Sequence, residues 1–532
     1  MTKKHYTFLL IKEWKEEKET SKRKASHAKS LLVLSGILIL FILLSCYKQY
    51  EKRGDHIDEK LTYMLANDTG NYGLPINQKL TSPQTALDKY LTTNEYNPPF
   101  NYGNVWKNQY RDTHPPLYYV LVHTICSVFV GKCSTWFAFM INLAFGIATV
   151  IFVYQICLLF SDSEIYALLF TLCFAVHPAI IEMTTFLRMY VMVTFFCVLL
   201  SYWCLRNWGD FNLHFFVGNT LILICGTLTH YYFIVYAFFH YAVIALYLLI
   251  TKDKRNILRF FYSLSTAVFI TIICFYGIIR HLLKGGRGTE NIQNFFHLSD
   301  YAKRLTGYFK IIDQDLFHHT LFIFFIATLL GCAILWEKKD SIYRWKMSLI
   351  GTTIIGYFII VSKVSSYITD RYISLIYPLL IITACIGVFQ LVQYLAKEKK
   401  LILYLFSLIL LLAEVSTYRD YEWKYSGTYY QNTIMPKVKD LAQYDCICIL
   451  NSGWEIWPHY REFIQYPSLT VTNMEEVNKL DLSQYQDQKI VVYVSSSLGF
   501  DAEKLLAIFD QYTTAEKLFE GYAYYDCYCL YF

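Results

Sequence analysis

The sequence predicts a mainly α-helical, polytopic membrane protein, with about eleven transmembrane helices, juxtamembrane helices and a small carboxy-terminal α/β domain. Three observations predict it. The 532 residues are 55% hydrophobic and only 17% charged, against roughly 25% charged in an ordinary soluble domain. Apolar runs of about 18 residues or more recur along most of the chain, which excludes a large soluble protein with a few buried helices. Past residue 415 that pattern stops, and short strand-like and helix-like runs alternate.

Residues 1–30 are basic and polar (Lys3, Lys4, Lys12, Lys15, Lys22, Arg23, Lys24, Lys29) and read as a cytoplasmic tail. The run Ser30–Tyr47 is too long for a signal-peptide core and lacks a small-residue cleavage site, so it reads as a retained first span. Further runs fall near 134–160, 164–181, 189–206, 214–229, 231–250, 259–280, 318–336, 347–362, 372–393 and 400–415. The apolar run 116–130 decides the orientation. Taken as a span, it would send Lys252–Arg255, Lys338–Lys346 and Lys397–Lys400 outside, against the positive-inside rule. Taken as an interfacial helix, it leaves all three clusters inside with the amino terminus. The net charge of +6 then lies mostly in inner loops, and no nucleic-acid partner is implied.

The layout expected is a tail (1–30), a membrane domain (31–415) whose first outer loop is 48–133, and an extracytoplasmic α/β domain (416–532). In that last domain strands are expected over Tyr444–Leu450, Lys489–Ser495 and Tyr525–Phe532, and helices over Trp454–Tyr466 and Asp501–Tyr512. Cys446/Cys448 and Cys527/Cys529 each present two sulfurs to one strand face. Their shared Tyr-Asp-Cys-x-Cys surroundings predict neighbouring strands carrying free thiols. None of the fifteen cysteines has zinc-type spacing.

Ionisable residues are nearly absent from span interiors and gather at the outer span ends, so the chemistry is expected there. His240, the exception, reads as a hydrogen-bonded interior histidine. Asp58-Glu59 follows the first span, and on a helix Glu59 shares a face with Tyr63. A carboxylate at the rim of an apolar cavity gains basicity, as a group taking a proton from a hydroxyl must; the same pair also fits a solvated interfacial helix. Asp112-Thr-His114-Pro-Pro places His114 just ahead of a helix start, where a phosphate can bind or where a rigid joint suffices. Glu182 with Arg188 and Tyr190, His230-Tyr231, and Asp370-Arg371-Tyr372 complete the outer face. Any one arginine alone reads as a snorkelling anchor. Together the carboxylates, arginines and histidines read as a site for a phosphosugar or diphosphate. Lys284–Gly288 reads as a lid or an ordinary flexible loop.

These motifs, in this order from about residue 30 to 415, resemble the GT-C superfamily of membrane glycosyltransferases. The likeness is greatest to its protein-mannosyltransferase-like bacterial branch, grouped as glycosyltransferase family 39 or the rhizobial lipopolysaccharide galacturonosyltransferase-like domain. The resemblance implies a polyprenyl-phosphate sugar donor and an inverting transfer to a glycan, lipid or protein acceptor of the cell envelope. It implies a multi-pass protein of the bacterial cytoplasmic (inner) membrane with its site on the extracytoplasmic side. It also implies Asp58 as general base supported by Glu59, and substrate contacts from Asp112, His114, Glu182, Arg188, Tyr190, His230, Tyr231, Arg371 and Tyr372. His114 matches a lysine of aminoarabinose-transferring relatives, so that specificity is not carried over. No cofactor is certain; some relatives hold a divalent metal near the first-loop aspartate, and that stays open because no ligand set shows. The alternatives are an O-antigen-type polymerase or ligase, which concentrates function in a late loop, and a lipid or sugar transporter, which needs ionisable groups at mid-membrane.

Overall fold

The computed structural model describes residues 28–531 except 71–74, 162, 284–299, 398, 428–429 and 486–487. The basic tail up to residue 27 and the Lys284–Gly288 segment lie outside the described residues. Eight helices among the described residues are long and apolar enough to cross a membrane: α1 (Ala28–Glu51), α6 (Thr135–Phe160), α11 (Tyr232–Ile250), α12 (Lys254–Cys274), α15 (Leu321–Lys338), α16 (Ser341–Val364), α17 (Asp370–Leu395) and α18 (Lys400–Asp420). A ninth span results if α7 (Glu164–Val176) and α8 (Pro178–Thr185), bent by 51° at His177, are one broken span. The proline stops the helix there because it clashes with the preceding turn. The other two segments expected as spans are apolar helices of 17 residues, α9 (Tyr190–Arg206) and α10 (Leu213–Thr229). They sit at the short end of what a hydrocarbon layer of about 30 Å needs.

The segment after α1, expected as the first outer loop, folds into α2 (Ile57–Asn67), α3 (Pro83–Leu91), α4 (Tyr102–Arg111) and α5 (Leu117–Val128). With 12 residues α5 is far too short to span. Smaller helices α13 (Gly277–Leu283) and α14 (Tyr301–Phe317) precede α15. Connectivity sets two ends apart. Asp58, His114, Arg188, His230 and Arg371 lie at helix ends and in the loops between them at one end, and Lys252–Arg255, Lys338–Lys346 and Lys397 at the other. His240 sits 2.9 Å from both Ser201 Oγ and Thr353 Oγ1, satisfied inside the bundle. Helices α15 and α17 touch backbone to backbone, since a side chain at Gly331 would meet the Gly387 carbonyl.

A six-stranded sheet follows α18, in the order β1-β3-β2-β4-β6-β5. Its strands are β1 (Lys79–Leu80), β2 (Asp445–Leu450), β3 (Leu469–Asn473), β4 (Ile490–Ser495), β5 (Thr514–Tyr522) and β6 (Tyr525–Tyr531). β3, β2 and β4 run parallel, while β6 and β5 are antiparallel additions. Helix α19 (Ala502–Ile508) covers one face with Leu505 against Ile447, Val492 and Leu530. The opposite face, with Cys446, Cys448, Val491, Tyr493 and Cys527, merges into the main core. The expected pairing of the cysteine strands is corrected: β4 lies between β2 and β6, with Cys446 level with Val491 and Val491 with Cys529. Two strand spacings are about 9.5 Å, beyond disulfide reach, and all four thiols are free and buried. The repeated motif reports a shared buried face, not adjacency. The expected helix over Trp454–Tyr466 is a 3-10 turn (Gly453–His459) followed by one turn of α-helix (Tyr460–Phe463), because Pro458 cannot donate within it.

The sheet is fastened to the first outer loop. β1 comes from that loop and pairs with β3. Asp55 is buried between Lys60 at 3.1 Å and Arg461, whose fork donates to it at 2.7 and 2.8 Å. Gly54 and Gly427 cross at backbone contact, and Arg53 N–H donates to the Ser426 carbonyl at 2.8 Å. Gly427→Ala should therefore lower stability by more than about 2 kcal/mol, combining a clash with a φ of +75°. Gly499→Ala, with a φ of +62° and open space around it, should cost only about 1 kcal/mol. Thermal melts of the two variants in one detergent check the difference.

Candidate active site

The site is built from the nine residues that follow α1. Lys52 and Glu59 form an ion pair whose side chains are each 2% exposed, and Lys52 also donates to the Thr185 carbonyl at 3.0 Å. Glu59 accepts from the Leu187 N–H at 2.8 Å and from the His56 N–H at 2.8 Å. Those last bonds make a capping box, since the His56 ring accepts from the Asp58 N–H at 3.2 Å. Glu59, expected to support catalysis directly, instead spends both oxygens inside the protein. It is a positioning residue that starts α2 and pins the α8–α9 break.

Asp58 sits one residue earlier and its carboxylate takes Arg371 Nη1. Arg188 Nη1 donates to the Asp58 carbonyl at 3.3 Å and to Thr62 Oγ1 at 3.1 Å, and its Nη2 lies 3.3 Å from His114 Nε2. His114 Nδ1 in turn lies 2.6 Å from Asp112 Oδ2. The chain Asp112–His114–Arg188–Asp58–Arg371 thus gathers five of the expected residues from four separate segments. Within it His114 links the Asp112 carboxylate to the Arg188 guanidinium. The Nε atoms of Arg188 and Arg371 are buried and lack partners in the described protein.

The electrostatics differ from expectation. Burial alone would raise the Asp58 pKa, but the guanidiniums of Arg188 and Arg371, with His56 and His114, hold it well below the ordinary carboxylate range. Without a ligand Asp58 is a clamped anion, not the basic carboxylate of an apolar rim. Asp112 is likewise pushed up by burial, yet His114 and Arg188 bring it to about 2. Burial first, then the field of His114, Arg188 and Arg371, drives His230 well below its usual value. Its Nδ1 accepts from the Tyr232 N–H at 3.1 Å, which leaves Nε2–H as a neutral donor.

An aromatic wall frames the cluster. The Tyr190 ring lies 5.5 Å from His230 and 6.4 Å from Tyr372. Tyr231 and Glu182 stand apart from it. Tyr231 turns to α13, with its hydroxyl 2.7 Å from His281 Nδ1. Glu182 accepts from the Tyr421 hydroxyl at 2.7 Å and the Tyr425 N–H at 2.8 Å. It serves a strap, residues 421–427, that the sequence reading passed over. In that strap Lys424 pairs with Asp315 at 2.7 Å and Asp370 at 3.4 Å. Tyr425 donates to Asp370 at 3.0 Å and stacks on Phe186 at 4.2 Å. The signal was available as the charged, aromatic run Tyr418–Tyr425 closing the last apolar stretch. Among the described residues no three His, Cys, Asp or Glu side chains gather as a metal-ligand set, so none is assigned to a cation.

No family model matches the chain, and no curated protein sequence matches it. Among solved structures it is similar to ArnT from Cupriavidus metallidurans bound to undecaprenyl phosphate, at 11% identity over 93% of this chain and 98% of that one, with a TM-score of 0.49. It is also similar to the Archaeoglobus fulgidus oligosaccharyltransferase tethered with an acceptor peptide, at 11% identity over 89% and 70%, with a TM-score of 0.48. At such identities and TM-scores the likeness is one of shape, and function is read below from the residues of the site.

The Asp58 clamp has a pH signature. A depressed folded pKa contributes stability that is full above the unfolded value near 4 and is lost as pH falls toward the folded one. Wild type should melt a few degrees above Asp58→Asn at pH 7, and the gap should close between pH 4 and the acid limit of the melt. A gap that is unchanged at pH 3 would contradict the clamp.

Proposed function

We propose that the chain transfers a sugar from a polyprenyl-phosphate donor to a hydroxyl of a cell-envelope glycan, lipid or protein at the outer face of the membrane, with inversion. The observation that carries this reading is the Asp58–Arg371 and Arg188–His114–Asp112 cluster, a carboxylate held beside two arginines with unspent donors. It stands at the end of the bundle away from the basic loops, and so faces outward by the positive-inside rule. Near it lies an apolar groove of about 450 Å³ between α10, α11, α12 and α13, lined by Leu223, Phe238, Ala267, Ile272, Ile279 and Leu282. On the same α13 that lines it with Ile279 and Leu282, His281 places Nε2 3.3 Å from the Tyr110 carbonyl, two residues before Asp112. A polyprenyl tail in this groove would bring its phosphate toward Arg188.

The chemistry follows from charge. The donor phosphodiester, a monoanion whose charge grows as the sugar departs, competes with Asp58 for Arg371 and Arg188, and as they turn to it Asp58 recovers the basicity it lacks when clamped. The acceptor hydroxyl gives its proton to the Asp58 carboxylate, and its oxygen attacks the anomeric carbon from the face opposite the phosphate. The carbon–oxygen bond to phosphate breaks with its electron pair, and the polyprenyl phosphate leaves held by the arginines. A phosphate leaving group needs little acid help, so one base and two cations suffice.

Asp58→Asn should insert normally and lose about a hundredfold or more of transfer from a radiolabelled polyprenyl-phosphate sugar in proteoliposomes. Arg371→Ala should raise the donor KM, and Arg371→Lys should restore only part of it, because lysine lacks the planar fork. Near-normal transfer by Asp58→Asn would overturn the base assignment. Movement of intact donor across the bilayer without cleavage would overturn the enzyme reading.

A further inference from the structure

A second cavity, of about 580 Å³, opens between the start of α2, the strap and the β5–β6 hairpin. His56 lines it, with Nδ1 3.7 Å from Asp58 Oδ2, so one side chain separates the cavity from the carboxylate on the side of the sheet. Its walls carry Tyr425, Tyr522 and Tyr524 together with Lys424 and Ser496. Tyr524 is 52% exposed and packs edge-on against Trp454, 41% exposed, at 5.3 Å.

The hairpin turn at this rim is unusual. Ala523 and Tyr524 both have positive φ, +45° and +79°, in a two-residue turn whose positions usually go to Asn and Gly. Neighbours hold the strained pair: the Tyr524 carbonyl accepts from the Ser496 N–H at 2.9 Å, and the Ala523 carbonyl lies 3.2 Å from His459 Nε2. His459 is fully buried and paired with Glu462. A large aromatic ring is thus kept at the mouth of a cavity at a conformational cost, the pattern expected of a residue retained for recognition.

We propose that this cavity is the acceptor subsite and that it takes a saccharide, whose ring faces lie on Tyr524 and its aromatic neighbours while its hydroxyls meet Lys424, Ser496 and His56. This rests on the glycosyltransferase reading. Mixed aromatic faces and polar groups suit a polyhydroxylated ring. An acyl chain suits an unbroken apolar wall, which the groove between α10 and α13 has and this cavity lacks.

Tyr524→Gly tests it without threatening the fold, because glycine adopts φ of +79° freely. The full chain in nanodiscs is titrated with oligosaccharides released by mild acid from the envelope of the source cells, and binding is read from tryptophan fluorescence. Hydrolysis of a radiolabelled polyprenyl-phosphate sugar by water is measured in parallel. The proposal expects Tyr524→Gly to melt no lower than wild type, to hydrolyse donor within twofold of it, and to bind the oligosaccharide at least tenfold more weakly. Tyr524→Trp should bind within threefold of wild type. Equal binding by wild type and Tyr524→Gly, or none by either, would overturn the subsite while leaving the donor chemistry intact. Absence of donor hydrolysis and transfer in wild type would instead overturn the glycosyltransferase reading.

Discussion

The buried Lys52–Glu59 ion pair is the constraint on which the rest of the site depends. Removing one partner of such a pair strands a charge at a cost of roughly 3–5 kcal/mol, so the geometry it imposes is stiff. Glu59 is at once the reciprocal half of the α2 cap, the acceptor for Leu187 N–H and the partner of Lys52. It therefore fixes where α1 ends, where α2 begins and where the α8–α9 break lies. The residues between Lys52 and Lys60 reach outward from that fixed frame. Asp58 meets Arg371 and Arg188, Asp55 meets Lys60 and Arg461, and His56 faces the cavity under the sheet. One short segment thus joins the membrane helices, the sheet and the reacting carboxylate.

That arrangement places catalysis under substrate control on the proposed reading. An anion clamped by two guanidiniums is a poor base, and a competing anion that draws the guanidiniums away loosens it. The ion pair that lowers the basicity of Asp58 in the empty site is the one a donor phosphate would replace. Neutral His230 fits the same logic, since positive charge is already concentrated on the arginines and burial keeps further charge out.

Much of this was legible in the sequence where the signal was local. Apolar runs, the Pro-Pro helix start and the basic loops report the bundle because each depends on nearby residues and on the membrane itself. The membership of Asp58, Asp112, His114, Arg188 and Arg371 in one cluster followed from their common position at outer span ends. What was not legible depended on partners far along the chain. Glu59 reads as a support for the Asp58 base, and that Lys52 and Leu187 take its oxygens depends on residues from other segments. The raised basicity expected for Asp58 took account of burial but not of two arginines from segments 130 and 313 residues away. Strand order in the sheet, and the recruitment of β1 from the first loop, are long-range pairings that a repeated Tyr-Asp-Cys-x-Cys motif cannot encode.

The central claim is that Asp58 serves the breaking of a sugar–phosphate bond on a lipid carrier. Mass spectrometry of lipid-linked sugars and surface glycan, compared between wild type and an Asp58→Asn strain expressing the protein at equal level, tests it most directly. The account predicts that the variant accumulates an intact polyprenyl-phosphate sugar and that its envelope glycan, lipid or protein lacks the mass of that one sugar unit. Unchanged carrier lipids and unchanged envelope masses in the variant would contradict it.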